Sequence, residues 1–275
     1  MGPLALGLAL WVSAAPTATL TSEPAFLVSG SGRPVQLQLL VKDGSGAPAL
    51  KARVEVSSSA GAVGPVENLG HGKYRVALAP PAEKLPQVSI VYADIEVGGA
   101  WRRVWVGVPV HGSSTLKLET KPAAQVEVTV ADRTFGPVTA DRRGRADLPV
   151  VVPPGVKKGS LRSVDHIGNV KVKPIDLAPP PYPRVRLVPA LQGSATVTVG
   201  GSLELEAYGV ESSGVPAPSV LLETAAERGA VTTPLAVAGV PGLFTLSYKA
   251  PEGAGAEAIK LRGWIKGDKS SAGTL

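Results

Sequence analysis

Residues 35–63, VQLQLLVKDGSGAPALKARVEVSSSAGAV, and residues 203–231, LELEAYGVESSGVPAPSVLLETAAERGAV, align without a gap at a constant separation of 168 residues. The matches are Leu37 with Leu205, Gly46 with Gly214, Pro48 with Pro216, Ala49 with Ala217, Glu55 with Glu223, and Gly61-Ala62-Val63 with Gly229-Ala230-Val231. After a slip of two residues, GKYRVAL at 72–78 meets GLFTLSY at 242–248. Self-similarity at a fixed separation means that one structural unit is built twice. A chain of 275 residues has room for two or three such units.

The period inside the repeat is two. Val35, Leu37 and Leu39 alternate with Gln36 and Gln38, and Ala52, Val54 and Val56 alternate with Arg53 and Glu55. DGSGAP separates these runs as a turn, GHG leads into Tyr74, Val76 and Leu78, and APPAEKLP makes the corner before Val88. Alternation of this kind buries one face of a strand. The 32 glycines and 26 prolines interrupt every helical pattern before it reaches three turns, so helix is expected to be scarce. Short strands at about ten-residue spacing predict an all-β chain of tandem Ig-like antiparallel β-sandwich domains.

The stretch LLVKDGSGAPALKARVEVSSSAGAV followed by GHGKYRVALAPP resembles the bacterial Ig-like repeats of the invasin and intimin adhesins. It is similar to that family's strand, D-x-x-G-x-P turn, strand and G-x-Y strand. The resemblance covers most of residues 18–110 and, more weakly, 190–275, where Glu211 replaces the turn Asp43 and Phe244 replaces Tyr74. It implies modules that act as rigid spacers projecting a binding tip. No segment matches a tip domain.

The remaining boundaries follow from composition. Residues 1–14, with an apolar run from Gly2 to Trp11 and small residues at Val12-Ser13-Ala14, are predicted as a secretory signal, although no Lys or Arg precedes Pro3. The run is shorter than the roughly 20 residues of a membrane-spanning helix, so the exported protein is expected to be soluble. An Ig-like sandwich is predicted over 15–111 and another over 190–275. Residues 112–178 lack the repeat pattern and are predicted as a smaller basic sandwich, with strands near 115–120, 125–130, 145–152, 160–165 and 169–174. APPPYP at 178–183 opens a linker over 179–189 whose polyproline stiffness is expected to hold the last unit at a distance.

Two surfaces are candidates for function. In VGGAWRRVWVGV the Gly98-Gly99 turn predicts a hairpin pairing Val97 with Ala100, Glu96 with Trp101, Asp94 with Arg103 and Tyr92 with Trp105. Val91, Ala93, Ile95, Val97, Val104, Val106 and Val108 then share the core face. Tyr92, Asp94, Glu96, Trp101, Arg103 and Trp105 share the other, which suits a sugar ring or a protein partner, or packs against a neighbouring unit. The second candidate is electrostatic. Between Arg133 and Lys173 nine basic residues face three acids, a surplus equal to the net charge of +6. The candidate basic patch is Arg142, Arg143, Arg145, Lys157, Lys158, Arg162, Lys171 and Lys173, suited to an anionic surface polysaccharide or an acidic partner.

Catalytic chemistry has no sequence signature here. The chain has no cysteine, which removes disulfides, thiolate nucleophiles and lipidated cysteine. His71, His111 and His166 occur singly in stretches read as turns, no G-x-S-x-G elbow or phosphate loop is present, and Asp141, Asp165 and Asn169 read as turn caps rather than calcium ligands. No catalytic residue, metal or cofactor is expected, and no nucleic-acid motif accompanies the charge. The expected function is that of an exported, periplasmic or cell-surface, non-enzymatic structural or adhesive protein whose partners are other envelope proteins or anionic polysaccharide. The alternative is a carbohydrate-binding or enzyme-accessory module using the aromatic face.

Overall fold

The computed structural model describes residues 15–177, 185–191, 197–211, 217, 219–238, 241–255 and 258–274. Every element in them is a β-strand. The predicted signal and the APPPYP segment lie outside the described residues.

In the first unit, β1 (Thr17–Glu23), β3 (Val35–Lys42), β7 (Lys73–Ala79) and β5 (Ala62–Val63) form one antiparallel sheet, with β6 (Glu67–Gly70) also paired to β7. The opposing sheet contains β4 (Arg53–Ser58), β8 (Gln87–Val97) and β9 (Ala100–Glu119), and β2 (Leu27–Val28) joins β9 in parallel. The N-terminal segment thus crosses from one sheet to the other. Alternation dictates the burial: β3 reads buried, exposed, buried along its length, and Leu37, Leu78 and Ile95 are wholly enclosed. Each such side chain contributes about 1.5–3 kcal/mol by leaving water.

The strand β9 continues through Gly112 without interruption. Its second half pairs with β12 (Arg145–Val152), register Arg145 to Glu119 through Val152 to Gly112. Opposite this two-stranded region lies a four-stranded sheet in the order β11 (Arg133–Thr139), β10 (Gln125–Val130), β13 (Lys158–Val164) and β14 (Val170–Asp176). A separate core of Val126, Val128, Leu148, Val150 and Leu161 fills the space between. β11 is not among the strands expected for this unit, and it contains Gly136-Pro137. A register shift between Val126 and Val128 absorbs the pair, and β11 is a sheet edge where proline costs no ladder bond.

The third unit repeats the first. β15 (Val185–Leu191), β16 (Ser202–Glu211), β20 (Leu243–Lys249), β18 (Ala230–Val231) and β19 (Leu235–Ala236) form one sheet, and β17 (Val220–Ala226), β21 (Ile259–Ile265) and β22 (Asp268–Thr274) the other. The Val35 to Leu78 pairing recurs as Leu203 to Tyr248, and the bonds from Ala49 N to Val41 O and Val41 N to Gly72 O recur as Ala217 N to Gly209 O and Gly209 N to Gly242 O. Gly72 and Gly242 have φ of 70° and 78°, and a Cβ on Gly72 would lie 2.3 Å from Val41 O, so the position in the first unit is restricted to glycine. β15 occupies part of the stretch expected as linker.

Two expectations change. His111 lies within β9 rather than in a turn. The third unit is not held at a distance: Tyr208 of β16 packs against Trp105 of β9 with ring centroids 6.1 Å apart. The aromatic pair meets over Val88 and Ile90, which are buried on the outer face of β8 together with the half-buried Tyr92.

Candidate functional site

The hairpin pairs as its glycines require: Gly98 and Gly99 both take positive φ, and Val97–Ala100, Glu96–Trp101, Asp94–Arg103 and Tyr92–Trp105 are in register. With β4 on the other side of β8, the outer face carries three rows: Arg53–Glu96–Trp101, Glu55–Asp94–Arg103 and Ser57–Tyr92–Trp105. Cross-strand neighbours on one face are close enough to bond.

The rows differ in what they leave open. Arg103 Nε donates to Asp94 Oδ1 at 2.6 Å while its terminal nitrogen reaches Oδ2, and the guanidinium lies 4.7 Å above the Tyr92 ring. This fork is largely enclosed, the two side chains keeping 11% and 20% of their exposure. Tyr208 closes over Trp105, and burial, seconded by the Glu206 charge, raises the Tyr208 phenol above its ordinary pKa against the opposing pull of Arg102 and Arg103. At the hairpin end, Trp101 is half-buried under Arg53, whose guanidinium lies 5.9 Å from the ring and pairs with Glu55 at 2.5 Å. Tyr92, Asp94, Trp101, Arg103 and Trp105 therefore share one face, but the third unit covers its Tyr92–Trp105 end. Tyr208 carries no sequence signal for this role, since a polar-face tyrosine in a repeat looks like any exposed strand residue.

The eight basic residues come from several elements of the second unit. Arg142 and Arg143 lie in the β11–β12 turn, Arg145 opens β12, and Lys157 and Lys158 stand at the start of β13. Arg162 points away from the core and pairs with Glu127 at 3.1 Å. Lys171 and Lys173 of β14 are cross-strand from Ser163 and Leu161, which places them on the core-facing side with the buried Leu161. They border two adjoining clefts of about 780 and 550 Å³ that share Glu119, Leu161 and Lys173.

The turn carboxylates are occupied. Asp141 Oδ1 accepts from the amides of Arg143 and Arg145, both at 2.8 Å. Asp165 accepts from the Ile167 and Asn169 amides and from Lys121 Nζ at 2.8 Å, and that ammonium, with the Asn169 side chain, holds the carboxyl far below its ordinary range. Among the described residues no group of three or more His, Cys, Asp or Glu side chains converges as a metal site. No helix among them is long and apolar enough to cross a membrane.

The sequence does not announce a third cluster at the junction of the first two units. Phe26, just before β2, stacks on His111 with centroids 4.3 Å apart and planes 8° from parallel. Arg133 of β11 lies 4.6 Å from the centre of the Phe26 ring. His111 Nδ1 is buried with no hydrogen-bond partner among the described residues, and burial, then the Arg133 charge, lower its pKa below 6.5 despite Asp132.

No protein-family model matches the sequence, and no curated protein matches it. Among solved structures, the chain is similar to the Yersinia pseudotuberculosis adhesin InvE, with 16% identity, 58% of each chain covered and a TM-score of 0.28. It is similar to invasin, described as a bacterial integrin-binding protein, with 14% identity, 95% of this chain and 59% of that one covered, and a TM-score of 0.24. Yersinia pseudotuberculosis InvD matches at 11% identity over 88% of this chain and 81% of its own, with a TM-score of 0.29. The chain spans less than two thirds of the InvE and invasin chains. The Ig-like sandwich architecture rests on the strand order of the paired sheets themselves.

Proposed function

We propose that the chain is an exported, non-enzymatic structural or adhesive component of a bacterial envelope or cell-surface assembly, its partners being other envelope proteins. The observation that carries this reading is the unbroken strand β9, which belongs to the ladders of both the first and second units. A strand shared by two sandwiches transmits force and orientation between them through backbone hydrogen bonds, which suits a part that holds others in place. The charged groups of the candidate face support the same reading, since Asp94 with Arg103 and Arg53 with Glu55 are already paired within the sheet.

The test is localisation with contact mapping. An epitope-tagged full chain produced in its native cell is expected in the periplasmic or surface fraction, with photo-crosslinkers at Trp101 and Leu69, an exposed apolar residue of the first unit, trapping envelope proteins. Recovery in the cytoplasm without crosslinked partners overturns the proposal.

A further inference from the structure

We propose that the cleft of the second unit binds an anionic polysaccharide, held by Lys171 and Lys173. This goes beyond the reading above and holds whatever the compartment. The acids of the lining each face a base across the ladder or are bonded in a turn: Glu119 is opposite Arg145, Asp147 opposite Lys117 and Asp176 opposite Lys158, while Asp165 holds Lys121 and Asp141 holds its turn amides. Lys171 and Lys173 stand apart. Their cross-strand neighbours are Ser163 and Leu161, neither makes an ion pair with another described residue, and both border the cleft from an exposed edge strand. Lys173 lines both clefts and Lys171 the smaller, so two lysines whose Cα atoms stand about 6.6 Å apart along β14 flank an opening that has Leu161 in its floor.

The same strand favours a polysaccharide over an acidic polypeptide. Asp165 N donates to Asn169 O and Leu177 N to Lys157 O, so in the unbroken ladder between them Lys171, Lys173 and Ile175 bond to β13, while Val170, Val172 and Pro174 turn their nitrogens to the free edge. Pro174 has no N–H to offer there. Proline and inward-pointing lysines are the features that defend an edge against an added strand. A polypeptide loses the main-chain ladder that would hold it, whereas a carboxylated polysaccharide needs only the ammonium groups and an open channel.

The experiment is titration of the purified full chain with polygalacturonate, with neutral dextran and polyglutamate as comparisons. At low ionic strength polygalacturonate binds and dextran does not. The double substitution Lys171→Gln, Lys173→Gln weakens binding by about tenfold, and Lys42→Gln with Lys73→Gln, equal in charge but on the first unit, by less than about twofold. Unchanged thermal unfolding of both variants separates lost binding from lost folding. Equal weakening by the two variants, no binding of polygalacturonate at low salt, or tighter binding of polyglutamate each overturns the proposal.

Discussion

At the scale of single residues, the clearest dependence on solution conditions lies with His111. Its folded pKa is depressed below the ordinary 6.5 by burial and Arg133, so the unfolded chain binds the extra proton first. Stability is therefore complete above about pH 6.5 and falls as the pH drops through the interval between the unfolded and folded values. Acid unfolding is expected to begin there, before the lowered carboxyls of Asp43 and Asp165 take up protons. Thermal melts at stepped pH check this: His111→Phe keeps a ring against Phe26 and is expected to flatten the fall of the melting temperature below about pH 6.5, and an unchanged slope refutes the assignment. Tyr74 makes a second residue-scale case. Its hydroxyl bonds Ala52 N and O, both at 3.3 Å, while the equivalent position of the third unit is Phe244. Tyr74→Phe is expected to cost about 1 kcal/mol in denaturant unfolding with the fold retained.

Among elements, β9 decides most. Its first half completes the sheet of one sandwich and its second half, from Gly112, starts the next. Inserting a flexible Gly-Ser-Gly after Gly112 is expected to leave both ladders nearly intact but to uncouple them. Calorimetry then resolves separate transitions for the first and second units where the unmodified chain shows them melting together. A single unchanged transition would show that the junction is held by side chains such as Phe26 and Arg133 rather than by the strand. The strand itself was half legible in the sequence. Glycines and alternation located the hairpin and its register, but a period of two does not reveal which ladder a residue joins, and Pro109 with Gly112 in the segment reads as a boundary.

For the whole molecule, the contact of Trp105 with Tyr208 brings the third unit back onto the first. An aromatic pair of this kind adds about 0.5–1.5 kcal/mol to the area it buries, so the contact is small enough to break by one substitution. Tyr208→Glu is expected to release the third unit and lengthen the particle, which small-angle X-ray scattering reads as a larger maximum dimension. The released variant is also expected to show a red-shifted tryptophan emission as Trp105 meets water. An unchanged scattering profile would mean that other contacts hold the units together.

What the chain determines by itself is local and periodic. The repeat at 168, the two-residue alternation of β3, β4 and β7, the positive-φ glycines of the hairpin and the faces of β8 and β9 all depend on neighbours a few residues apart, so the order of letters suffices. What covers a face depends on residues far away along the chain. Trp105 meets Tyr208, and Phe26 meets both His111 and Arg133, and no local pattern encodes these meetings. The sequence sets which side chains leave the core, because burial follows alternation. Only the tertiary structure decides which of them stay exposed, because exposure depends on how the sheets of different units come to rest against one another.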